Sequence, residues 1–134
     1  MREILFRGQT RRKGEKVWMD GSPVDSNWVE GYGVCMGKGD FSVIYAGSPV
    51  EKFPVYTDTV GQFTGMTDKN GEKIFEGDIL RSANIFVVNF ENGAFVLLFG
   101  EDGSEYTHDH FLDEMEIIGN IHDNPELLGG ADHD

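Results

Sequence analysis

The stretch of the chain that decides its fold is residues 85–99, IFVVNFENGAFVLLF. Asn92-Gly93 separates two apolar runs, and both residues accept the positive φ angles of a two-residue type I′ hairpin turn. On one face this turn implies three apolar cross-strand pairs: Phe90 with Phe95, Val88 with Leu97, and Phe86 with Phe99. On the other face it implies Val87 with Leu98 and Asn89 with Val96. A hairpin that is apolar on both faces needs cover on both, from the same chain or from a partner subunit.

Two further dipeptides, Asn70-Gly71 and Asp102-Gly103, carry the same type I′ signal. The first implies the pairs Lys69 with Glu72, Asp68 with Lys73, and Met66 with Phe75. Two of these pairs join opposite charges, which favours the register. The second dipeptide would extend the 85–99 hairpin into a meander through Tyr106 and Thr107.

The remaining elements are short. Strands are predicted over residues 3–7, 16–19, 28–36, 41–45 and 116–121. Gly8 is expected to end the first strand, a polar loop follows over 9–13, and Pro49 and Pro54 are expected to break up the segment after Tyr45. Gly31 and Gly33 indicate a bulge or a close backbone approach. Helix is confined to 108–115 and 124–128, the latter with Asn124 as N-cap and Pro125 at its first position.

Composition agrees with a mainly β domain. The 134 residues include ten Phe, four Tyr and two Trp, enough for a real core, and eighteen Gly against four Pro. Glycine weakens helices and serves turns and bulges, so this combination favours strands joined by tight turns.

The net charge is −13 and is unevenly distributed. Residues 1–38 contain seven Lys/Arg and five Asp/Glu. Residues 39–134 contain four Lys/Arg and nineteen Asp/Glu. The acidic part would repel nucleic acid and anionic membrane, and most of its charge is expected to be a solvated surface. Cys35 is the single cysteine, which rules out an intramolecular disulfide. No apolar run is long enough to span a bilayer and no signal peptide begins the chain, so a cytoplasmic location is expected.

The chain contains no complete nucleotide-binding or calcium-binding motif. The glycines of 31–37 are wrongly spaced for a dinucleotide fingerprint, and Gly37-Lys38-Gly39-Asp40 lacks the hydroxyl residue of a phosphate loop. Residues 68–79 begin like a calcium loop, but glycine stands at loop position 4 and Ile79 at position 12. A β-turn explains the segment better.

The one metal-like constellation is His108-Asp109-His110, which Asp113, Glu114 or His122 would complete. No second close-spaced ligand pair exists, so a solvent-exposed polar stretch is favoured. Cys35 is expected to be a small buried hydrophobe rather than a nucleophile. No catalytic, cofactor-binding or metal-ligating residue is predicted, and the chain is not expected to be an enzyme.

A basic N-terminal segment offers a different contact. Its six cations are Arg2, Arg7, Arg11, Arg12, Lys13 and Lys16, with Phe6 and Trp18 nearby. They would form a nucleic-acid patch, or else pair with the acidic C-terminal lobe or a neighbouring subunit. The second interpretation is favoured because the rest of the chain opposes nucleic acid.

Four segments resemble the YopX family of phage and prophage proteins. They are residues 1–8 (MREILFRG), 27–32 (NWVEGY), 60–80 (VGQFTGMTDKNGEKIFEGDIL) and 117–128 (IIGNIHDNPELL). Residues 34–56 and 81–115 match no motif of that family. The resemblance implies a mainly β fold of two lobes, the later one like a small SH3-type barrel, and a tendency to self-associate. It brings no catalytic residues.

Together these observations predict a single domain with an N-terminal β lobe over 1–58, an SH3-like β lobe over 59–128 and a flexible tail over 129–134. The leading functional hypothesis is a phage- or prophage-derived accessory protein that binds a host or phage protein or itself, and a homo-oligomer is expected. The alternative is a nucleic-acid-associated protein that uses the basic segment; an enzyme stands third.

Overall fold

The structure is a computed structural model that describes residues 3–16, 19–106 and 112–128. It is mainly β with a curled half-barrel sheet, which confirms the predicted fold class. The chain forms two compact units, Met1–Phe63 and Thr64–Asp134. Within the described ranges no helix has the length and apolarity needed to cross a membrane.

The first unit contains two antiparallel sheets. Its strands are β1 (Phe6–Arg11), β2 (Asn27–Gly31), β3 (Gly33–Cys35), β4 (Phe41–Ala46) and β5 (Glu51–Tyr56). The strand β6 (Gly61–Thr67) begins in this unit and ends in the second. In one sheet β1 lies between β2 and the first residues of β6, and in the other β4 lies between β3 and β5.

Two glycines allow these sheets to pack closely. A Cβ atom at Gly8 would lie 2.7 Å from a methyl carbon of Val55, and one at Gly31 would lie 2.2 Å from the carbonyl oxygen of Tyr45. Gly31 therefore makes the close backbone approach predicted for it. The prediction that Gly8 ends the first strand is wrong, because Gly8 lies inside β1, where a larger residue would collide with β5.

The prediction that Pro54 breaks the chain after Tyr45 is also wrong. Pro54 lies inside β5, which is an edge strand of its sheet. A proline lacks the backbone N–H but is tolerated at an edge, where that position need not donate to a neighbouring strand. Met19, expected to lie in a strand, instead stands in a turn with φ 81°.

The second unit is built on an antiparallel sheet of four strands in the order β10, β9, β8, β11. These are β8 (Asp78–Arg81), β9 (Ile85–Glu91), β10 (Ala94–Phe99) and β11 (Glu116–Asn120), while β7 (Lys73–Phe75) pairs with β6. Its core on one sheet face includes Ile74, Leu80, Phe86, Val88, Leu97 and Met115. Phe86 and Leu97 are each only 2% exposed.

The hairpin at Asn92-Gly93 has the predicted turn and the predicted register. Both residues have positive φ, 53° and 82°. All five predicted pairs are present, from Phe95 with Phe90 to Phe99 with Phe86. The type I′ turn forms because asparagine and glycine both tolerate positive φ, and the twist of this turn matches the right-handed twist of the flanking strands.

The turns at Asn70-Gly71 and Asp102-Gly103 are not the predicted type I′ turns, since only the glycine of each dipeptide has positive φ. At the first, the Asp68 N–H donates to the Glu72 carbonyl, so the loop has three residues. Glu72 therefore lies opposite Asp68, and the predicted pairs of Lys69 with Glu72 and of Asp68 with Lys73 are both wrong. At the second, the Phe99 N–H donates to the Ser104 carbonyl across a four-residue loop.

An aspartate carboxylate explains both differences. Asp68 accepts hydrogen bonds from the N–H groups of Asn70 and Glu72, and Asp102 accepts from the N–H and hydroxyl of Ser104. Such Asx turns close the loop with a side chain and leave only one position that needs positive φ. The meander itself is present, because Tyr106 N–H donates to the Leu97 carbonyl. Thr107 lies outside the described residues.

In the part of the chain that the structure describes, helical structure consists of single 3₁₀ turns over Thr57–Thr59, Leu112–Glu114 and Pro125–Leu127. The last confirms the position of the predicted C-terminal helix but not its length. Asn124 stands at the N-cap without a capping hydrogen bond; its side-chain oxygen accepts instead from the N–H of Asn120. Residues 108–111 of the other predicted helix, and the tail over 129–134, lie outside the described residues.

Candidate interaction surface

The sheet of β3, β4 and β5 has an inner and an outer side. Ser42, Ile44 and Val55 point inward and are at most 1% exposed. Because side chains alternate along a strand and paired residues share a face, the opposite side is defined by the register. We call it the outer face; its side chains are Cys35, Phe41, Val43, Tyr45, Lys52, Pro54 and Tyr56. Gly33 lies on the same side, with its Cβ direction toward the Tyr45 ring.

The outer face is largely apolar and partly exposed to solvent. Phe41 is 53% exposed, Cys35 and Pro54 are exposed, and Val43, Tyr45 and Tyr56 are half-buried. Lys52 is its single charged residue, and none of its positions carries a carboxylate. A contiguous apolar surface of this kind on a folded chain is characteristic of an interaction site.

The polar residue of β4 points to the inside instead. The Ser42 hydroxyl oxygen lies 2.9 Å from both the Gly37 backbone N–H nitrogen and the Thr57 hydroxyl oxygen. These hydrogen bonds satisfy the buried hydroxyl, so Phe41, Val43 and Tyr45 are left on the outside. Sequence reasoning missed this surface. Its signal was the run Phe41–Tyr45, where apolar residues occupy both faces of one strand.

An arginine and two aromatic rings form a stack at one end of the outer face. The Phe41 and Tyr56 ring centroids are 4.9 Å apart, and the Arg12 guanidinium carbon lies 4.0 Å from the Tyr56 ring centroid. Burial raises the pKa of Tyr56, and the hydrogen bond from its hydroxyl to Glu15 acts in the same direction. The Tyr56 phenol therefore stays protonated to a higher pH than an ordinary tyrosine does.

Arg12 is engaged within the first unit. Its two terminal nitrogens donate to the two carboxylate oxygens of Asp58 at 3.3 and 2.9 Å. This bidentate bond raises the pKa of Arg12. The partner that the structure gives Arg12 is thus Asp58 of the first unit and not a carboxylate of the acidic C-terminal lobe. Arg7 is another member of the basic segment, and its guanidinium carbon lies 4.6 Å from the Trp28 ring centroid.

The 85–99 hairpin presents a second, weaker surface. On the face opposite the core, Ile85, Val87, Val96 and Leu98 are half-buried. The neighbouring residue on that face in β8 is Ile79, which is fully buried. The chain itself therefore covers this second face at Ile79, but leaves it partly exposed along β9 and β10.

The other candidates from the sequence do not form a reactive centre among the described residues. Cys35 is exposed, so the expectation of a buried cysteine is wrong. Asp68 is 4% exposed, and its carboxylate is occupied by three backbone N–H groups. In the described part of the chain no three His, Cys, Asp or Glu residues cluster so as to hold a metal ion. His108, Asp109 and His110 lie outside it.

The charge of the chain separates sharply between the two units. The first unit contains eight Lys/Arg and eight Asp/Glu, so its net charge is zero. The second unit contains three Lys/Arg and sixteen Asp/Glu, so it accounts for the whole net charge of −13. The outer face thus belongs to a neutral unit, and the 85–99 hairpin to a strongly acidic one.

Comparison with known proteins gives a family and a similar structure. No curated protein matches the chain. Among solved structures it is similar to protein EF1440 from Enterococcus faecalis, with 22% sequence identity over 93% of this chain and 97% of that one and a TM-score of 0.47. The family model for the YopX protein matches residues 23–129, which is most of the chain. The chain belongs to the YopX family.

Proposed function

We propose that this chain is an accessory protein of phage or prophage origin that acts, without a catalytic step, by binding protein through the outer face. The observation that carries the proposal is the exposure of Phe41 on a sheet side whose strand positions include no Asp or Glu. Unpaired polar groups and charges are costly to bury in an interface, whereas aromatic and aliphatic side chains gain from leaving water.

The composition of the surface supports a protein partner. Interface cores are depleted of charged residues and enriched in tyrosine, phenylalanine, methionine and arginine. The outer face carries Phe41, Tyr45 and Tyr56, Arg12 is stacked at its end, and the exposed Met36 directly follows β3.

Nucleic acid is the alternative partner, because aromatic side chains on a sheet can also stack on bases. Two observations favour protein over it. Tyr56 has Phe41 packed against its ring and Arg12 over it, which leaves little of the ring for a base. The Arg12 charge is compensated by Asp58, and the unit as a whole is neutral.

The test compares proteins retained by three tagged baits: the unmodified chain, Val43→Lys and Val50→Lys. Val43 lies on the outer face, whereas Val50 is 53% exposed in the turn before β5 and serves as the matched control. Each bait is mixed with the untagged chain and a bacterial lysate. The proposal predicts partners that the unmodified chain and Val50→Lys retain and Val43→Lys loses. Identical retention by all three baits contradicts it.

A further inference from the structure

We infer that the second unit carries a docking surface of its own, on the side of the 85–99 hairpin that faces away from the core, and that its occupant is a basic segment of another protein. That segment presents aliphatic side chains flanked by lysine or arginine. The inference goes beyond the proposed function, because it concerns a different surface on a different unit and a partner of stated charge.

The register of the hairpin defines this surface. Val96 pairs with Asn89 and Leu98 with Val87, and residues that lie opposite each other on antiparallel strands share a face. Next to β10, Glu105 forms an isolated antiparallel bridge with Leu98, so its side chain is on the same side. We call this side the hairpin face; its side chains are Val87, Asn89, Glu91, Ala94, Val96, Leu98 and Glu105.

The centre of the hairpin face is aliphatic and only partly covered. Val87, Val96 and Leu98 are half-buried, and all three point away from the core of the unit. At the end of the hairpin far from its turn, a Cβ atom at Gly100 would lie 3.3 Å from a methyl carbon of Leu128. The C-terminal residues therefore pack against the hairpin at that end, and the aliphatic centre remains partly open to solvent.

Two carboxylates stand beside this aliphatic centre. Glu91 and Glu105 are both exposed. The Asn89 side-chain nitrogen donates a hydrogen bond to Glu91 Oε2 at 2.8 Å, which holds that carboxylate on the hairpin face. An apolar centre with a polar, solvent-accessible rim is the usual anatomy of a protein interface.

The charge of the second unit determines which partner fits. The unit contains sixteen Asp/Glu and three Lys/Arg. Two of these cations, Lys69 and Arg81, lie against Glu116, with nitrogen–oxygen distances of 4.0 and 3.1 Å. They are therefore engaged at another carboxylate, and the carboxylates of the hairpin face retain their charge.

Other occupants are disfavoured by the same charge. A second copy of the chain would oppose −13 with −13 through this unit, and nucleic acid or an anionic membrane would be repelled as well. A small polyamine would satisfy the charge but would leave the aliphatic centre in water. A basic protein segment satisfies both features, because its aliphatic side chains gain from leaving water and its cations complement the rim.

The experiment uses a defined probe, a fluorescein-labelled amphipathic peptide of about 14 residues with leucines on one helical face and lysines on the other. Two further peptides replace all leucines by serine or all lysines by glutamate. Fluorescence anisotropy at ~0.15 M salt measures binding. We expect a dissociation constant of about 1–100 μM for the leucine–lysine peptide. The serine–lysine peptide should bind at least about tenfold more weakly, and the leucine–glutamate peptide should not bind.

Paired variants of the chain locate the probe. Glu91→Gln combined with Glu105→Gln should raise the dissociation constant at least about fivefold. Glu72→Gln combined with Glu114→Gln removes the same charge from exposed positions of the same unit that are not on the hairpin face. This control pair should stay within about twofold of the unmodified chain.

A second pair tests the aliphatic centre. Val96→Lys should raise the dissociation constant at least about tenfold, whereas Val50→Lys, an equal change in the first unit, should stay within about twofold. Circular dichroism establishes that each variant is folded. The glutamine pairs change only exposed side chains, so they decide the question even if Val96→Lys fails to fold.

Absence of binding by the leucine–lysine peptide overturns the inference. Equal affinity of the serine–lysine peptide, or equal weakening by the two glutamine pairs, overturns it as well, because either result assigns binding to diffuse charge. The proposed function is judged separately. Val43→Lys leaves the hairpin face unchanged, so it should bind the probe like the unmodified chain whether or not it loses the partners of the outer face.

Discussion

The carboxylate of Asp68 accepts a hydrogen bond from the backbone N–H of Ile117 at 3.0 Å, across 49 residues of chain. The same carboxylate accepts from the N–H groups of Asn70 and Glu72 in its own turn. One buried side chain therefore ties the β6–β7 loop to the start of β11. The Lys69 N–H, which donates to the Met115 carbonyl, makes a second link between these segments.

We predict that Asp68→Asn lowers the free energy of unfolding by about 2 kcal/mol at pH 7, because charge-assisted bonds are lost and an amide N–H₂ faces backbone donors. Urea unfolding measures the change. Asp113→Asn, at an exposed position of the same unit, is the control and should change the unfolding free energy by less than about 0.5 kcal/mol. A loss of similar size in both variants would show that the hydrogen-bonded geometry of Asp68 is not the cause.

The Asp68 contribution should also depend on pH. Burial by itself raises the pKa of this carboxyl, but the hydrogen bonds from Ile117, Glu72 and Asn70 outweigh it, so the pKa lies below its ordinary value. A depressed pKa stabilises the fold above the unfolded-state pKa of about 3.9, and this stability is lost as the pH falls through the folded-state value. Urea unfolding in steps down from pH 5 should show the gap between the unmodified chain and Asp68→Asn closing below about pH 4. A gap that stays constant contradicts this.

Gly71 should tolerate no β-branched residue, and the reason is conformational. Its φ is 81°, yet nothing lies within 4 Å of a Cβ built there. Gly71→Val should therefore cost ~1–2 kcal/mol or more from backbone strain alone. Gly39 offers a matched control, because its Cβ direction is equally open and its φ is not in the positive region. Equal unfolding midpoints for Gly71→Val and Gly39→Val would refute the assignment.

The packing of β1 on β5 can be tested with a double-mutant cycle between Gly8 and Val55. Gly8→Ala should cost about 1–3 kcal/mol, because its new methyl group collides with Val55. Val55→Ala makes room, so the double variant should be more stable than the sum of the single effects by about 1 kcal/mol. Gly33→Ala, whose Cβ would lie 3.7 Å from the Tyr45 ring, should be close to neutral. Strict additivity of Gly8→Ala and Val55→Ala would falsify this packing.

We expect no binding of random duplex or single-stranded DNA at ~0.15 M salt, since affinity from basic residues depends on net release of phosphate counterions. The basic segment belongs to a unit of zero net charge, and Arg12 is bound to Asp58. A fluorescence anisotropy titration measures the affinity. Micromolar binding that weakens steeply with salt, and that vanishes when Arg11, Arg12 and Lys13 are changed to Ala, would promote the nucleic-acid alternative.

The sequence alone was sufficient where the deciding interaction is local. Asn92-Gly93 sets both positive φ angles of its turn, and a two-residue turn leaves one possible register for β9 and β10. The mainly β class followed in the same way from turn residues and aromatic composition. The family resemblance is likewise a property of the sequence, and the family model confirms it over residues 23–129.

The tertiary structure decided what depends on partners distant in the chain. The carboxylate of Asp68 holds both its own turn and the N–H of Ile117, so the geometry of that loop is not a property of Asn70-Gly71 alone. In β4 apolar residues occur on both faces, so the alternation of side chains does not show which face is buried. The inward face is fixed by the close approach at Gly8 and Gly31 and by the buried hydrogen bonds of Ser42. Phe41, Val43 and Tyr45 are left outside for that reason, and the outer face exists only because the sheets pack this way.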